Sequence, residues 1–315
     1  MIKNLIFLLI IIPNLLFYFF FKEEKINEVK IIIEPGMKLN QIADVLKENR
    51  LIKNEFIFKT WVMINNSQKR LKFGEYYFNK KISVNIILDK LKKGKSVYRK
   101  ITIVEGSTKS DLLKILNELD SYNSIKLDDI PNSIVADTYF YKVSDNSELI
   151  LKNIVKKSNE ISGKIWKERD KEIPLNDVDE LFILASIVEK ETFIKEEKSI
   201  ISGVFYNRFK RNMKLQSDPT VVYAITLGKK KMDRKLLRKD LKIKSKFNTY
   251  VNKGLPPEPI CMPGIESLVA TSKPFKSNYL YFVSKNKKNE GHLFSEKYRE
   301  HLENIRSVKK KSKSE

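Results

Sequence analysis

The stretch PLNDVDELFILASIVEKETF, residues 174–193, predicts the helix that opens the C-terminal segment of the chain. Asn176 or Asp177 can cap its first turn, and Asp179 and Glu180 place negative charge where the helix dipole favours it. Apolar residues then dominate until two glutamates appear near the end of the stretch. These glutamates matter because the rest of the sequence offers few other candidates for chemistry.

Glu189 and Glu191 are separated by one residue, so their side chains point about 200° apart on a helix. They therefore cannot form a two-carboxylate glycosidase pair by themselves. Glu191 continues an apolar stripe, whereas Glu189 turns toward another face. The stripe consists of Leu184, Ile187 and Val188. An apolar surface disfavours the charged carboxylate and raises its pKa, as a general acid near neutral pH requires.

Helix geometry leaves a second interpretation of the two glutamates open. Both carboxylates could be exposed and form ion pairs with neighbouring lysines, such as Lys190 and Lys195. In that case the end of the helix would be a solvated charged surface and would carry no catalytic group.

The composition predicts a protein of several units without disulfide or metal crosslinks. A chain of 315 residues is long enough for two or three folded units. A single cysteine, Cys261, excludes an internal disulfide framework, and two isolated histidines, His292 and His301, predict no metal site. The sequence has neither a P-loop nor a dinucleotide fingerprint, so no cofactor is predicted.

The formal net charge of +22 favours a polyanionic partner: nucleic acid, anionic lipid or an anionic wall polymer. The alternative is a lysine-rich compositional bias with solvated faces, because lysine is spread over the whole length. The KKKSK run at 309–313 predicts a disordered basic tail.

The N-terminus predicts a membrane anchor. Residues 5–21, LIFLLIIIPNLLFYFFF, form a charge-free apolar run near the lower limit for a helix that spans a bilayer. No small-residue cleavage pattern follows, so an uncleaved single-pass anchor is expected in the cell membrane. Lys3 favours a cytoplasmic N-terminus, which places the rest of the chain on the extracytoplasmic side. We therefore expect membrane lipid as a partner of this helix and no nucleic acid.

Two segments resemble each other, VKIIIEPGMKLNQIADVLKEN at 29–49 and RKITIVEGSTKSDLLKILNEL at 99–119. Each predicts a strand, a turn at Gly36 or Gly106, and an amphipathic helix. The apolar helix positions are Leu39, Ile42, Ala43 and Leu46 in the first copy and Leu112, Leu113 and Leu116 in the second. Such units occur in LysM modules, which bind glycan chains. Packing as plain spacers is the alternative.

Local patterns predict further elements. A strand is expected at 73–78, a helix at 84–95 and a long helix near 147–170. NTYVNKGLPPEPICMPG, residues 248–264, predicts an irregular loop because it is rich in proline and glycine. NYLYFVS, residues 278–284, alternates as a strand does.

A long series of motifs runs through the C-terminal third, from about 181 to 301. In order, the motifs are ASIVEKET, SGVFYNRFKRNMKLQSDPTVVYA, NTY with GLPPEPI and PG, YLYFV, and GH-F-S with EH. This series resembles the endolytic peptidoglycan transglycosylases, the MltG or YceG-like family, and DTY at 137–139 extends the resemblance upstream. The ordered series is a specific signal, whereas E-K-E-T alone would be a weak one.

The resemblance implies that Glu191, the second glutamate of E-K-E-T, is the catalytic acid and base. It implies lytic cleavage between N-acetylmuramic acid and N-acetylglucosamine. In that reaction the acid protonates the glycosidic oxygen, and the resulting carboxylate takes the proton of the sugar's own 6-hydroxyl. A 1,6-anhydro ring closes, with help from the N-acetyl group. One carboxyl then suffices, because the nucleophile belongs to the substrate.

The matching motifs also imply residues that line a glycan cleft: Asn207 and Arg208 in YNRF, Gln216, Ser217 and Asp218 in LQSDPT, and Asn248 and Tyr250 in NTY. Amides suit sugar hydroxyls and N-acetyl groups, which places Gln216 and Asn248 first. Each residue also has a structural alternative. Asp218 could cap the helix that follows it, Arg208 could be a buried ion-pair partner, and His292 could be a structural histidine.

The sequence departs from the family pattern at three positions. Ala136 stands where proline is usual in F-P-D-T-Y, and Glu258 replaces the glycine of L-P-P-G-P-I. Met262 precedes Pro263 where a polar residue is common. These changes leave Glu191 intact but bear on the shape of the substrate groove.

The predicted fold class is α+β, with an N-terminal transmembrane helix, LysM-like strand-turn-helix modules and a C-terminal α+β catalytic domain. The predicted segments are 1–25 (cytoplasmic stub and transmembrane anchor), 26–97 (first module), 98–175 (second module and connector), 176–308 (catalytic domain) and 309–315 (basic tail).

The resemblance implies a membrane-anchored enzyme that cuts nascent glycan strands internally and so ends their elongation. Its partners would be peptidoglycan glycan strands and, by family analogy, peptidoglycan synthases. A non-catalytic cell-wall binding or scaffolding protein is the alternative. A basic nucleic-acid-binding protein would instead need a cytoplasmic location and aromatic residues interleaved with basic ones, and no such stripe is present.

Overall fold

The computed structural model describes residues 17–119, 125–143, 145–285 and 290–314. Its helices are α1 (Leu39–Glu48), α2 (Glu55–Ile64), α3 (Val84–Lys93), α4 (Lys109–Leu119), α5 (Ser147–Lys167), α6 (Val178–Glu191), α7 (Lys195–Lys210), α8 (Asp218–Thr226), α9 (Ile265–Ser272) and α10 (Tyr298–Ser314). Its strands are β1 (Glu24–Ile33), β2 (Gly74–Ile82), β3 (Arg99–Thr102), β4 (Thr138–Tyr141), β5 (Tyr281–Ser284) and β6 (His292–Ser295). These elements confirm the predicted α+β class.

The chain divides into two compact units. The first lies within Met1–Ile101 and Phe140–Asn146, and the second within Thr102–Tyr139 and Ser147–Glu315. Strands β3 and β4, which pair with each other, carry the chain from one unit to the other. Each unit has its own apolar core.

The first unit contains the strand, turn and helix predicted at 29–49. Strand β1 pairs antiparallel with β2, with Ile31 opposite Tyr76, and both side chains are buried. Gly36 takes φ +85°, a left-handed conformation that glycine adopts without strain. The helix residues Ile42, Ala43 and Leu46 are buried as the pattern predicts. The likeness of this unit to LysM modules stays a prediction.

The second copy of the repeat has the same local elements, but its turn and helix belong to the second unit. Helix α4 buries Leu112 and Leu116, and Gly106 takes φ +78°. The backbone N–H of Gly106 donates to the carbonyl of Met262 at 2.9 Å, and the N–H of Met262 donates to that of Ser107 at 2.7 Å. The turn of this copy is therefore bonded to the proline-rich loop.

Helix α6 is the centre of the second unit. Asp177 caps it by accepting from the backbone N–H of Glu180 at 2.9 Å, as the sequence predicts. Residues 181–189 are all buried, because α5, α7, α8 and α9 pack around the helix. A helix enclosed on all sides needs apolar residues beyond a single stripe. Its last turn, with Glu191, reaches the surface of this core.

The other local predictions hold with changed boundaries. The long helix is α5, the predicted strand at 278–284 begins later as β5, and the loop at 248–264 contains neither helix nor strand. The prediction of a disordered basic tail is wrong, because α10 continues to Ser314. Lysine and serine do not break a helix, so α10 continues through the KKKSK run.

The predicted anchor at 5–21 lies outside the described residues except for 17–21, which are helical. Within the part of the chain that the structure describes, none of the helices combines the length and the apolar character needed to cross a bilayer. The anchor therefore stays a prediction.

Two helical glycines give a test of the packing between α7 and the segment before β5. A Cβ added at Gly203 would lie 2.4 Å from the carbonyl oxygen of Phe275, whereas one added at Gly163 in α5 would have no neighbour within 4 Å. We expect Gly203→Ala to lower the free energy of unfolding by ~1–3 kcal/mol through overpacking. Gly163→Ala, the matched control, should raise it by ~0.5–1 kcal/mol through lower chain entropy. Urea unfolding measures both changes in the free energy of unfolding. Equal changes in the two variants would contradict the close approach of Gly203 to the Phe275 carbonyl.

Candidate active site

Glu191 is the last residue of α6, and its carboxyl has one close hydrogen-bond donor. The hydroxyl of Ser217 donates to Glu191 Oε1 at 2.5 Å, a length typical of a charge-assisted bond. Thr192 follows in an extended conformation, which ends the helix directly after the carboxyl. Glu191 is half-buried, with the apolar core of the second unit on one side.

Ser217 is held in place by the backbone around it. It is the N-cap residue of α8, yet its hydroxyl makes no capping bond and is therefore available to Glu191. The N–H of Ser217 donates to the Thr249 hydroxyl at 3.0 Å, and the N–H of Gln216 donates to the Thr249 carbonyl at 3.2 Å. Gln216 takes φ +52°, an unusual conformation for a residue with a side chain. The start of α8 is thus tied to the loop at 248–264.

The electrostatics around Glu191 favour a protonated carboxyl near neutral pH. Burial raises the pKa of Glu191 to about 7, and the negative charge of Asp218 acts in the same direction. The hydrogen bond from Ser217 and the positive charge of Arg208 lower that pKa but only partly offset the burial. The pKa therefore moves in the direction that the apolar stripe of α6 predicts.

Arg208 links two backbone segments by hydrogen bonds. Its Nε donates to the Leu280 carbonyl at 2.7 Å, and its Nη1 donates to the Leu215 carbonyl at 2.6 Å. The side chain is buried, which lowers the pKa of the guanidinium. Neither predicted role, a glycan contact or a buried ion pair, matches these bonds. Arg208 instead fixes the residue before β5 and the segment that leads to Ser217.

Three of the other predicted residues lie around Ser217. The hydroxyl of Tyr250 donates to Asp218 Oδ1 at 2.6 Å, and Asp218 is exposed. Burial and the bond to Asp218 raise the pKa of Tyr250, so the phenol stays protonated. Asp218 is the first residue of α8 rather than its cap. Gln216 is exposed as well.

The two asparagines predicted as glycan contacts are used for backbone bonds. Asn248 is fully buried, and its Nδ2 donates to two carbonyls of segment 241–243 at 3.0 and 2.8 Å. Its Oδ1 accepts from the N–H of Tyr250 at 2.9 Å. Asn207 donates likewise to two carbonyls of segment 277–279 at 2.7 and 2.9 Å. With its amide group buried and engaged in these bonds, Asn248 positions Tyr250.

The structure therefore separates the predicted residues into two groups. Gln216, Asp218 and Tyr250 lie around the Ser217–Glu191 bond, whereas Asn207, Arg208 and Asn248 hold the backbone. Ser217 is a predicted cleft residue of the LQSDPT motif, but its bond to Glu191 is not part of the prediction.

Glu189 is committed to the fold. Its carboxylate forms a buried ion pair with Lys198 at 3.1 Å, with both side chains 3% exposed. Its other oxygen accepts from the Ser267 hydroxyl at 2.6 Å and from the N–H of Gly264 at 2.9 Å. The interpretation that both glutamates are exposed is wrong for Glu189, which ties α6 to α7 and α9.

Two of the three departures from the family pattern are buried in the same region. Ala136 donates its N–H to the carbonyl of Pro263 at 2.9 Å and forms an isolated bridge with Gly264. Met262 is bonded to the turn at Gly106. Glu258, the third departure, is half-buried. Ala136 and Met262 thus take part in the backbone hydrogen bonds that hold the proline-rich loop in place.

Comparisons with known proteins agree on one family. The model of a family described as YceG-like matches residues 31–307. The chain is 33% identical over 306 residues to an endolytic murein transglycosylase of Bacillus subtilis, covering 87% of this chain and 82% of that protein. It is 28% identical over 305 residues to an endolytic murein transglycosylase of Streptococcus pneumoniae, covering 81% of this chain and 54% of that protein.

A solved structure has a similar fold. The crystal structure of a yceG-like protein from Listeria monocytogenes matches with a TM-score of 0.53 and 27% identity. The match covers 88% of this chain and 98% of that one. The chain spans about half the length of the streptococcal relatives and most of the length of the Bacillus and Listeria proteins.

Removal of the lysine that neutralises Glu189 should destabilise the second unit. We expect Lys198→Met to lower its free energy of unfolding by ~3–5 kcal/mol, because an unpaired buried carboxylate remains. Lys195→Met, the control on the same helix, removes an exposed pair with Glu266 and should cost under ~1 kcal/mol. Trp166 fluorescence in a Trp61→Phe background follows the unfolding of this unit alone. Similar losses for the two variants would contradict the buried pair.

The raised pKa of Glu191 predicts a stability change with pH. Because the folded pKa of about 7 exceeds the ordinary 4.5, the folded chain binds more protons between these values. Stability of the native state therefore falls as pH rises through this window. Glu191→Gln should abolish that fall and be more stable than wild type by up to ~3 kcal/mol above pH 7. Urea unfolding from pH 4.5 to 8 measures this. A difference that does not change with pH would contradict the raised pKa.

Proposed function

The chain belongs to the YceG-like family, and we propose that it is an endolytic murein transglycosylase in which Glu191 is both acid and base. The observation that carries this proposal is the site of Glu191. A carboxyl at the end of a buried helix has one hydrogen-bond donor and a pKa of about 7. The names of the Bacillus and Streptococcus relatives support the same reaction class, lytic transglycosylation.

The first step needs a protonated Glu191. The carboxylic acid donates its proton to the glycosidic oxygen between N-acetylmuramic acid and N-acetylglucosamine, and the bond from that oxygen to the anomeric carbon breaks. Positive charge develops at the anomeric carbon and is shared with the neighbouring N-acetyl group. With a pKa near 7, a large share of the enzyme carries the proton at neutral pH.

The second step uses the carboxylate that the first step leaves. Glu191 accepts the proton of the sugar's 6-hydroxyl, and the 6-oxygen bonds to the anomeric carbon to close the 1,6-anhydro ring. The Ser217 hydroxyl stabilises the carboxylate between the two steps. No second carboxyl is required. This is consistent with the buried ion pair in which Lys198 holds Glu189.

Three residues near Glu191 are proposed to contact the glycan strand: Gln216, Asp218 and Tyr250. Gln216 is exposed beside Ser217 in a left-handed backbone conformation, so its amide stands away from the packed core. The Asp218–Tyr250 pair lies next to the same serine. Asn207, Arg208 and Asn248 then act through the backbone segments that they hold.

The apolar run at 5–21 is proposed as a single-pass anchor that keeps the active site on the extracytoplasmic side of the cell membrane. Newly made glycan strands emerge there, so internal cleavage would end their elongation. The division of the chain into anchor, two LysM-like modules, catalytic domain and basic tail is part of this proposal. Peptidoglycan synthases are the protein partners that it implies.

The decisive experiment is product analysis with the full chain in detergent micelles. We expect wild type to convert uncrosslinked glycan strands to fragments with anhydro-muramic ends, which are one water lighter than hydrolysis products. Glu191→Gln should form none. Glu196→Gln, which changes an exposed glutamate at the start of α7, is the matched control and should cleave as wild type does.

Other product patterns would contradict the proposal in distinct ways. Reducing ends would mean a hydrolase. Binding of strands without cleavage by any variant would indicate the cell-wall scaffold instead. Cleavage that persists in Glu191→Gln would place the acid elsewhere.

The hydrogen bond from Ser217 gives a second prediction. Because that bond lowers the pKa of Glu191, Ser217→Ala should raise the pKa further. The acid is active in its protonated form, so the alkaline fall of kcat/KM should move to higher pH. Ser217→Thr retains a hydroxyl and should keep the wild-type profile. An unchanged alkaline limb in Ser217→Ala, measured from pH 5 to 9, would count against Glu191 as the acid.

A further inference from the structure

Three aromatic rings form a cluster beside Arg208 in the second unit. Tyr281 lies on β5, and Tyr298 and His301 lie on the first turns of α10. The ring centroids of Tyr281 and His301 are 5.2 Å apart with an interplanar angle of 22°. Tyr298 is 5.7 Å from Tyr281 and 6.3 Å from His301. In the sequence His301 belongs to the EH motif at the end of the series, with no role assigned to it.

The cluster is accessible to a ligand. Tyr298 is 60% exposed, and the other two rings are half-buried. Tyr298 and His301 are three residues apart, so both lie on the same side of α10, which packs on β5 and β6. Burial of a tyrosine ring is favourable, so an exposed ring backed by two others marks a surface suited to binding an apolar face.

Arg208 connects this cluster with the catalytic carboxyl. Its guanidinium carbon lies 5.6 Å from the centroid of the Tyr281 ring. Its charge favours the ionised form of Glu191 and the neutral form of His301. One buried guanidinium therefore lies close to the Tyr281 ring and also acts electrostatically on the Glu191 carboxyl.

His301 adds a neutral ring to the cluster. Its Nδ1 is buried without a hydrogen-bond partner, so a second proton on the ring would have no acceptor there. Burial, followed by the charge of Arg208, lowers the pKa of His301 in agreement with this. The three rings thus present an uncharged surface in a strongly basic protein.

We propose that Tyr298, Tyr281 and His301 form a sugar-binding platform that seats a pyranose ring of the glycan strand next to the cleavage site. The C–H groups on one face of a pyranose form an apolar surface that packs on aromatic rings, while its hydroxyl and N-acetyl groups point to the rim. An uncharged aromatic surface beside polar groups fits such a ligand. The identity of the ligand, an N-acetylhexosamine strand, rests on the proposed function.

The test measures binding separately from cleavage. The full chain carrying Glu191→Gln is titrated in detergent micelles with peptide-free, uncrosslinked glycan strands, so that the strands are not consumed. Tyr298→Ala should weaken binding roughly tenfold, whereas Tyr298→Phe keeps the ring and should bind within about twofold. Phe275→Ala is the control, since Phe275 is an aromatic residue that is 53% exposed in the same unit but lies outside the cluster. In the active chain, Tyr298→Ala should raise KM with little change in kcat.

Each outcome decides the proposal. Equal binding by Tyr298→Ala and Phe275→Ala would overturn it. Weakened binding by Tyr298→Phe would also overturn it, because that result would mean a hydroxyl contact. Competition by free stem peptide rather than by glycan would assign the surface to the peptide and also overturn it. Thermal unfolding of each variant separates lost binding from lost fold. If glycan binding depends on Tyr298 but the active chain never cleaves the strands, the proposed function alone is refuted. If the chain cleaves the strands and Tyr298→Ala binds them as wild type does, the platform alone is refuted.

Discussion

The buried guanidinium of Arg208 is the interaction on which the geometry of the site depends. A buried cation is costly unless its N–H groups are satisfied, and Arg208 satisfies them with backbone carbonyls of Leu215 and Leu280. These two carbonyls belong to segments far apart in the chain. The first segment leads to Ser217, which donates a hydrogen bond to Glu191. The second segment leads to Tyr281, which is part of the aromatic cluster. One side chain thus holds both the segment that precedes Ser217 and the residue that precedes Tyr281.

The two glutamates of α6 show how environment separates identical groups. Glu189 faces the interior of the helix bundle, where Lys198, Ser267 and the N–H of Gly264 stabilise its charge. Glu191 reaches the edge of the same core, where desolvation raises its pKa more than the hydrogen bond from Ser217 lowers it. One glutamate is therefore part of the bonds that hold the helices of the fold together. The other can exchange a proton near neutral pH, and helix geometry alone keeps the two roles apart.

The repeated strand, turn and helix illustrate the limit of local patterns. Both copies adopt the predicted elements, because alternation, a glycine turn and helical periodicity are properties of neighbouring residues. Their surroundings differ, however. The turn of the second copy is hydrogen-bonded to Met262 in the proline-rich loop and belongs to the unit of α6. No local pattern could predict that pairing, because its partners are more than 150 residues apart in the chain.

The sequence by itself determined the α+β class, the capped helix α6, the irregular loop and the placement of Glu191 on the edge of an apolar stripe. The order of motifs determined the family. Tertiary structure decided which polar residues of those motifs face outward. Asn248 and Arg208 turn inward and donate to backbone carbonyls of nearby loops, whereas Gln216 and Asp218 are exposed. The direction of a polar side chain depends on backbone groups that are distant in the sequence. The periodicity of the sequence contains no information about those groups.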